Sequence, residues 1–143
     1  MTPQDVKYRF RIAQGFLEES RQDVALERWR SAVDNAQLAV ENAAKAVLAL
    51  ISPVGRTHNP ASLLRQALQD AVFPSHHQEH VQRIAECAEM LGFDIHVRTD
   101  YGDETQRVTP WELFDETEAR NALAIAEEGV ELARTIVEAL IPM

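Results

Sequence analysis

One helical stripe constrains this chain more than any other feature. Trp29, Val33, Ala36, Val40, Ala43, Val47 and Leu50 recur at spacings of three and four, the repeat that lines side chains along one face of an α-helix. A second line of small residues, Ala32, Ala39 and Ala46, runs beside it. A helix that is apolar on more than one side must be buried by more than one neighbour. At ~1.5 Å per residue, a helix over residues 26–51 spans roughly 40 Å. Its small-residue surface invites other helices to pack close along that length.

The rest of the chain supplies those neighbours. Thr2-Pro3 and Asn59-Pro60 each set an N-cap residue before a proline at the first helical position. Ser75-His76-His77-Gln78 has capping-box spacing, and Thr109-Pro110-Trp111-Glu112 combines the box with the proline. These signals predict helices over about residues 3–22, 60–72, 76–91 and 110–140, with Gly92 as a left-handed C-cap. Apolar residues keep helical register in each, as in Val6, Phe10, Ala13 and Leu17, or Leu123, Ala126, Val130, Ala133 and Val137. The break between the first two helices falls near Asp23, where neither glycine nor proline marks it, and one continuous helix is the alternative. No strand pair is legible. Phe93, Ile95 and Val97 alternate within the connector at 92–108 and read as a short extended piece. The expected fold is all-α: one domain over residues 1–143, an up-and-down bundle of about five helices.

Composition adds boundaries. A chain of 143 residues, 45% of them hydrophobic, can bury a core without a disulfide or a metal. Its one cysteine, Cys87, shares a helix face with Ile84 and Leu91 and reads as core. A single cysteine agrees with a reducing compartment. Residues 1–7 lack the apolar centre of a signal peptide, and no apolar run approaches the ~20 residues of a membrane span. The expectation is a soluble, cytoplasmic protein. A net charge of −9 argues against sequence-blind nucleic-acid binding by the whole surface and against a DNA sequence reader, while leaving room for a local basic site.

The connector is the one stretch whose residue types no helix requires. Residues 97–104 group Arg98, Asp100, Tyr101 and Asp103, and long connectors in compact helical domains tend to carry function. Arginine can clamp a phosphate through two hydrogen bonds, and tyrosine can stack on a base. Structurally, an Arg98–Asp100 ion pair with Tyr101 plugging the end of the bundle accounts for the same residues. Arg56 and His58, beside the helix start at residue 60, could hold an anion with help from free N–H groups, or His58 could pack on the cap. The candidate ligand-binding residues are therefore Arg98, Asp100, Tyr101, Asp103, Arg56 and His58. Glu41 and Lys45 form an i,i+4 pair read as a solvated helix edge, with an edge facing a partner as the alternative. His76 and His80 share a helix face, but a metal site wants a further ligand from another element. No metal or cofactor is expected. Trp29, Phe10 and Phe16 read as core.

The order of elements resembles the HEPN domain family. The likeness rests on Trp29-Arg30-Ser31-Ala32 with Ala39-Val40-Glu41-Asn42-Ala43-Ala44-Lys45-Ala46-Val47-Leu48, on Thr57-His58-Asn59-Pro60 with Leu63-Leu64, and on Arg98-Thr99-Asp100-Tyr101-Gly102-Asp103 before the acidic last helix. The resemblance implies a four- or five-helix bundle, usually a dimer. Many family members are ribonucleases; others bind nucleotides or pair with a minimal nucleotidyltransferase in toxin–antitoxin modules. The ribonucleases carry arginine, four to six residues, then histidine near the start of the last long helix. Arg120 matches the arginine, but Asn121-Ala122-Leu123-Ala124-Ile125-Ala126-Glu127 follows, and no arginine of the chain has a histidine at that spacing. Without the imidazole the proton transfer has no carrier. The resemblance thus implies a non-catalytic homodimer that binds a nucleotide, RNA or a nucleotidyltransferase partner, as in a toxin–antitoxin component. The alternatives are a ribonuclease using His58, His76, His77 or His80, and a purely structural helical interaction module.

Overall fold

The computed structural model describes residues 2–52, 55, 57 and 59–141. The first helix, α1 (Pro3–Ala25), begins at a reciprocal cap: the Asp5 N–H donates to Thr2 Oγ1 at 3.2 Å and the Thr2 N–H to the Asp5 carboxylate at 3.2 Å. It ends in a tight corner rather than continuing. Glu27 takes a left-handed φ of 58°. Asp23 fixes the corner: its carbonyl accepts the Arg28 N–H at 2.8 Å, and its carboxylate accepts Asn35 Nδ2 at 2.7 Å. The break expected near Asp23 therefore falls just after it, over Leu26, Glu27 and Arg28, with Asp23 as its anchor.

Helix α2 (Trp29–Leu48) touches every other α-helix of the described residues. Ala36, Ala39, Val40, Ala43 and Val47 are fully buried, as the two-sided stripe requires. Helix α3 (Pro60–Gln69) pairs with α4 (Gln78–Met90). Leu64 points into the core, whereas Leu63 is half-exposed. The capping box expected at Ser75 does not form. Ser75–His77 is a turn of 3₁₀-helix, and the Gln78 N–H bonds the Ser75 carbonyl instead of its hydroxyl. Gly92 is not a left-handed C-cap; with φ −88° and ψ −166° it is the N-cap of the next helix.

That helix is the main departure from expectation. Much of the connector is α5 (Phe93–Tyr101), not a loop or an extended piece. Three alternating apolar residues do not separate strand from helix, and the residues that face inward are Ile95 and the fully buried Thr99, four apart. Gly102 ends α5 at φ 69°, where a Cβ would collide with the Val108 carbonyl. Asp103 and Val108 then exchange two backbone hydrogen bonds, closing a narrow turn.

The helix expected over 110–140 is two. One-turn α6 (Pro110–Leu113) carries the Thr109–Glu112 capping box, and α7 (Glu116–Leu140) restarts at Asp115, whose carboxylate accepts the Glu118 N–H at 2.9 Å. Phe114, extended and buried, makes the break by turning into the core. The described residues are all-α, and α1, α2, α3, α4 and α7 are the five helices of the expected bundle. In the seam between α4 and α7, Cys87 lies buried against Gly129. Burial, and then the Glu128 carboxylate, pushes its thiol up to about 11. No helix among the described residues is long and apolar enough to cross a membrane.

Candidate ligand-binding site

The site grows from a polar line on the central helix. Arg30, Asp34, Gln37, Glu41 and Lys45 are spaced by four, three, four and four, which sets all five on one face of α2. Gln37, Glu41 and Lys45 are buried, so the pair expected at a solvated helix edge lies inside the protein. Lys45 Nζ stands 3.2 Å from one Glu41 carboxylate oxygen, and Gln37 Nε2 donates to the other at 3.2 Å. A buried ion pair stabilises little beyond its own desolvation cost, so this one argues for positioning more than for stability.

Helix α5 lies over the first part of this line and is held by hydrogen bonds. Arg30 donates to the Thr99 carbonyl at 2.7 Å. The Thr99 hydroxyl reaches the His96 carbonyl at 2.8 Å and an Asp34 carboxylate oxygen at 3.3 Å. Burial raises the Asp34 carboxyl above its ordinary range; the Arg30 guanidinium opposes the rise, and the Asp100 carboxylate adds to it. Arg30 also stacks over the Trp111 ring of α6, 5.8 Å from its centroid. One guanidinium thus ties α2, α5 and α6 together.

Of the residues singled out from the sequence, Arg98, Asp100, Tyr101 and Asp103 fall on and just after this bolted helix. Arg98 is half-buried on α5, its carbonyl accepts the Gly102 N–H at 2.8 Å, and its guanidinium makes no hydrogen bond or ion pair with another described residue. The Arg98–Asp100 pair expected to pin the connector is absent among the described residues; Arg30 and Thr99 do the pinning. Tyr101 is 64% exposed and plugs nothing. Asp100 is exposed. Asp103 is half-buried and accepts the Gln106 N–H at 3.1 Å, which gives it a turn-forming role. Arg56 and His58 lie outside the described residues. Arg120 is exposed and paired with Glu116 at 2.7 Å. His77 is buried, its ring 4.1 Å from that of His76 and 6.5 Å from that of His80. Among the described residues no three metal-binding side chains converge.

Beside these residues lies a cleft that the sequence does not announce. A concavity of about 440 Å³ opens between the start of α2 and α6, lined by Glu27, Arg28, Trp29, Arg30, Ser31, Trp111 and Phe114. Trp29 packs against the core as its register predicts, yet it stays half-buried, because it lies in the first turn of α2 beside the α1–α2 corner. The signal available in the sequence is chemical: arginines interleaved with a tryptophan at a helix start.

A family model for the HEPN domain matches residues 6–136. No curated protein matches the sequence. Among solved structures, the chain is similar to TT1696 from Thermus thermophilus, with a TM-score of 0.66 at 18% identity, covering 92% of this chain and 97% of that one. At that identity the likeness speaks for the fold alone, and it agrees with the family match. The chain belongs to the HEPN domain family.

Proposed function

We propose that this is a non-catalytic HEPN protein that binds a nucleotide or RNA at the α5–α6 end of the bundle. The observation that carries the reading is the surface there: Tyr101 and Trp111, 64% and 73% exposed, accompany Arg98, a guanidinium with no anionic partner among the described residues. Exposed rings offer stacking to any base, and an unpaired arginine suits a phosphate. The base beneath them is fixed by the Arg30 and Thr99 bonds, so binding need not order the surface first. Arg120 on α7 has no histidine at the ribonuclease spacing, which supports recognition without cleavage. A homodimer and a nucleotidyltransferase partner, as in a toxin–antitoxin module, belong to the same proposal on the strength of the family.

A nucleotide thermal-shift panel tests it. A ligand at a hundred times its dissociation constant adds about 2.7 kcal/mol of apparent stability. Arg98→Ala is expected to weaken that stabilisation while leaving the ligand-free melting point in place. A panel without a shift, together with no RNA retention, refutes the reading. RNA cleavage by the purified chain would refute its non-catalytic part.

A further inference from the structure

Both tryptophans of the chain, Trp29 and Trp111, line the same cleft. Trp111 is the most exposed large hydrophobic side chain of the described residues, at 73%. A single exposed ring needs no explanation, but two tryptophans on one concave surface are not scattered, and apolar concavities with a few polar groups are where ligands bind. Trp111 is also held still: the Thr109–Glu112 capping box fixes its one-turn helix, and Arg30 sits over its face. Phe114 gives the cleft an apolar floor, buried to 5% exposure. The polar groups converge at the other wall. Arg28 makes no ion pair with a described residue, and the Ser31 hydroxyl stands next to Arg30. The first-turn N–H groups of α2 have no acceptor among the described residues, since no acidic or capping side chain covers them. Glu27 is the one carboxylate on the rim, and it works against an anion.

The geometry points to a mononucleotide subsite in this cleft: the ring lies against Trp111 and Trp29, and the phosphate meets Arg28. The volume, about 440 Å³, falls in the range of small-molecule sites. The assignment rests on the nucleotide reading above and deepens it: the cleft takes one mononucleotide unit, while Tyr101 and Arg98 beside it remain the outer surface for the rest of the ligand. A free aromatic carboxylate presents similar ring-plus-anion chemistry, and the test separates the two.

Because the only two tryptophans face the cleft, their emission reads it without a label. Titration with adenosine 5′-monophosphate is expected to quench that emission saturably. Trp111→Ala should weaken nucleotide binding, followed by calorimetry, by at least about tenfold, the scale of losing one base stack. Arg28→Ala should weaken the monophosphate and leave adenosine unchanged, whereas Glu27→Gln should tighten the monophosphate. Circular dichroism of each variant checks that it folds. If the monophosphate raises the melting point but leaves the emission unchanged, and Trp111→Ala binds like the parent, the cleft assignment fails; the nucleotide reading then stands on Tyr101 and Arg98 if Arg98→Ala reduces the shift, and falls with the cleft if it does not. If neither signal moves, both fall. Saturable quenching by benzoate with none by the monophosphate overturns the nucleotide assignment of the cleft.

Discussion

Helix α2 is met in two different ways. Helices α1, α4 and α7 meet it through alanine and valine, so closely that Ala32, Ala36, Ala39, Ala43 and Ala46 are fully buried. Helix α5 is fixed to it by Arg30, Asp34 and Thr99, with Ile95 its one side chain packed against the apolar core. Apolar packing is non-directional and grows with area. Hydrogen bonds are directional and few. The first kind of contact makes a stable rod. The second holds one short helix at a set angle on that rod and leaves its outer face free for other work.

Variants of graded size separate the two kinds of contact. The largest effect is expected from Ile136→Ala on α7, whose side chain is fully buried: about 2–5 kcal/mol of stability lost, read from denaturant midpoints, with slower and faster amides affected together. Thr99→Val should cost about 1–3 kcal/mol, because it leaves the Asp34 carboxylate and the His96 carbonyl without their hydroxyl donor. Hydrogen exchange should quicken in α5 and much less in α1, α2 and α7. Equal loss of protection throughout would mean that the two kinds of contact form one cooperative unit after all.

A smaller effect involves His77. Burial, and then the neighbouring His76 and His80, holds its imidazole below the ordinary 6.5, so the folded chain prefers the neutral ring. As pH falls through 6.5 the unfolded chain takes the proton first, so stability declines until the lower folded value is passed and then levels off. Urea midpoints measured across that window should flatten in His77→Gln. The smallest change runs the other way. Gly129→Ala places a methyl at ordinary contact distance, 3.5 Å from Cys87 Cβ and 3.7 Å from Val40 Cγ2, and should stabilise by about 0.5–1 kcal/mol through reduced backbone freedom. A loss of stability would show that the α4–α7 seam has no slack.

The two regions are unequally legible in the sequence. The rod can be read because apolar periodicity and the caps at Thr2 and Thr109 are local signals. Asp115 does not stand out as a cap because the pattern from Pro110 onward stays helical on both sides of it. Helix α5 is hidden because its inward face pairs a single apolar residue, Ile95, with the polar Thr99, too little for a hydrophobic rhythm, and the arginine that bonds the Thr99 carbonyl is Arg30, 69 residues away. The line from Arg30 to Lys45 is visible by spacing, yet a polar stripe reads as solvent-facing until something is known to cover it. The cleft depends on the corner at Glu27, whose left-handed backbone no residue type there announces.

Cys87 gives the rod its own clock. The thiol is the only one in the chain, fully buried, and held up to about 11 by its surroundings. A thiol reagent in solution can reach it only when α4 and α7 part, so the rate of labelling counts those openings one molecule at a time. Events confined to α5 and α6 would pass unrecorded. A ligand that slows labelling must therefore be transmitting its effect from the end of the bundle into the seam.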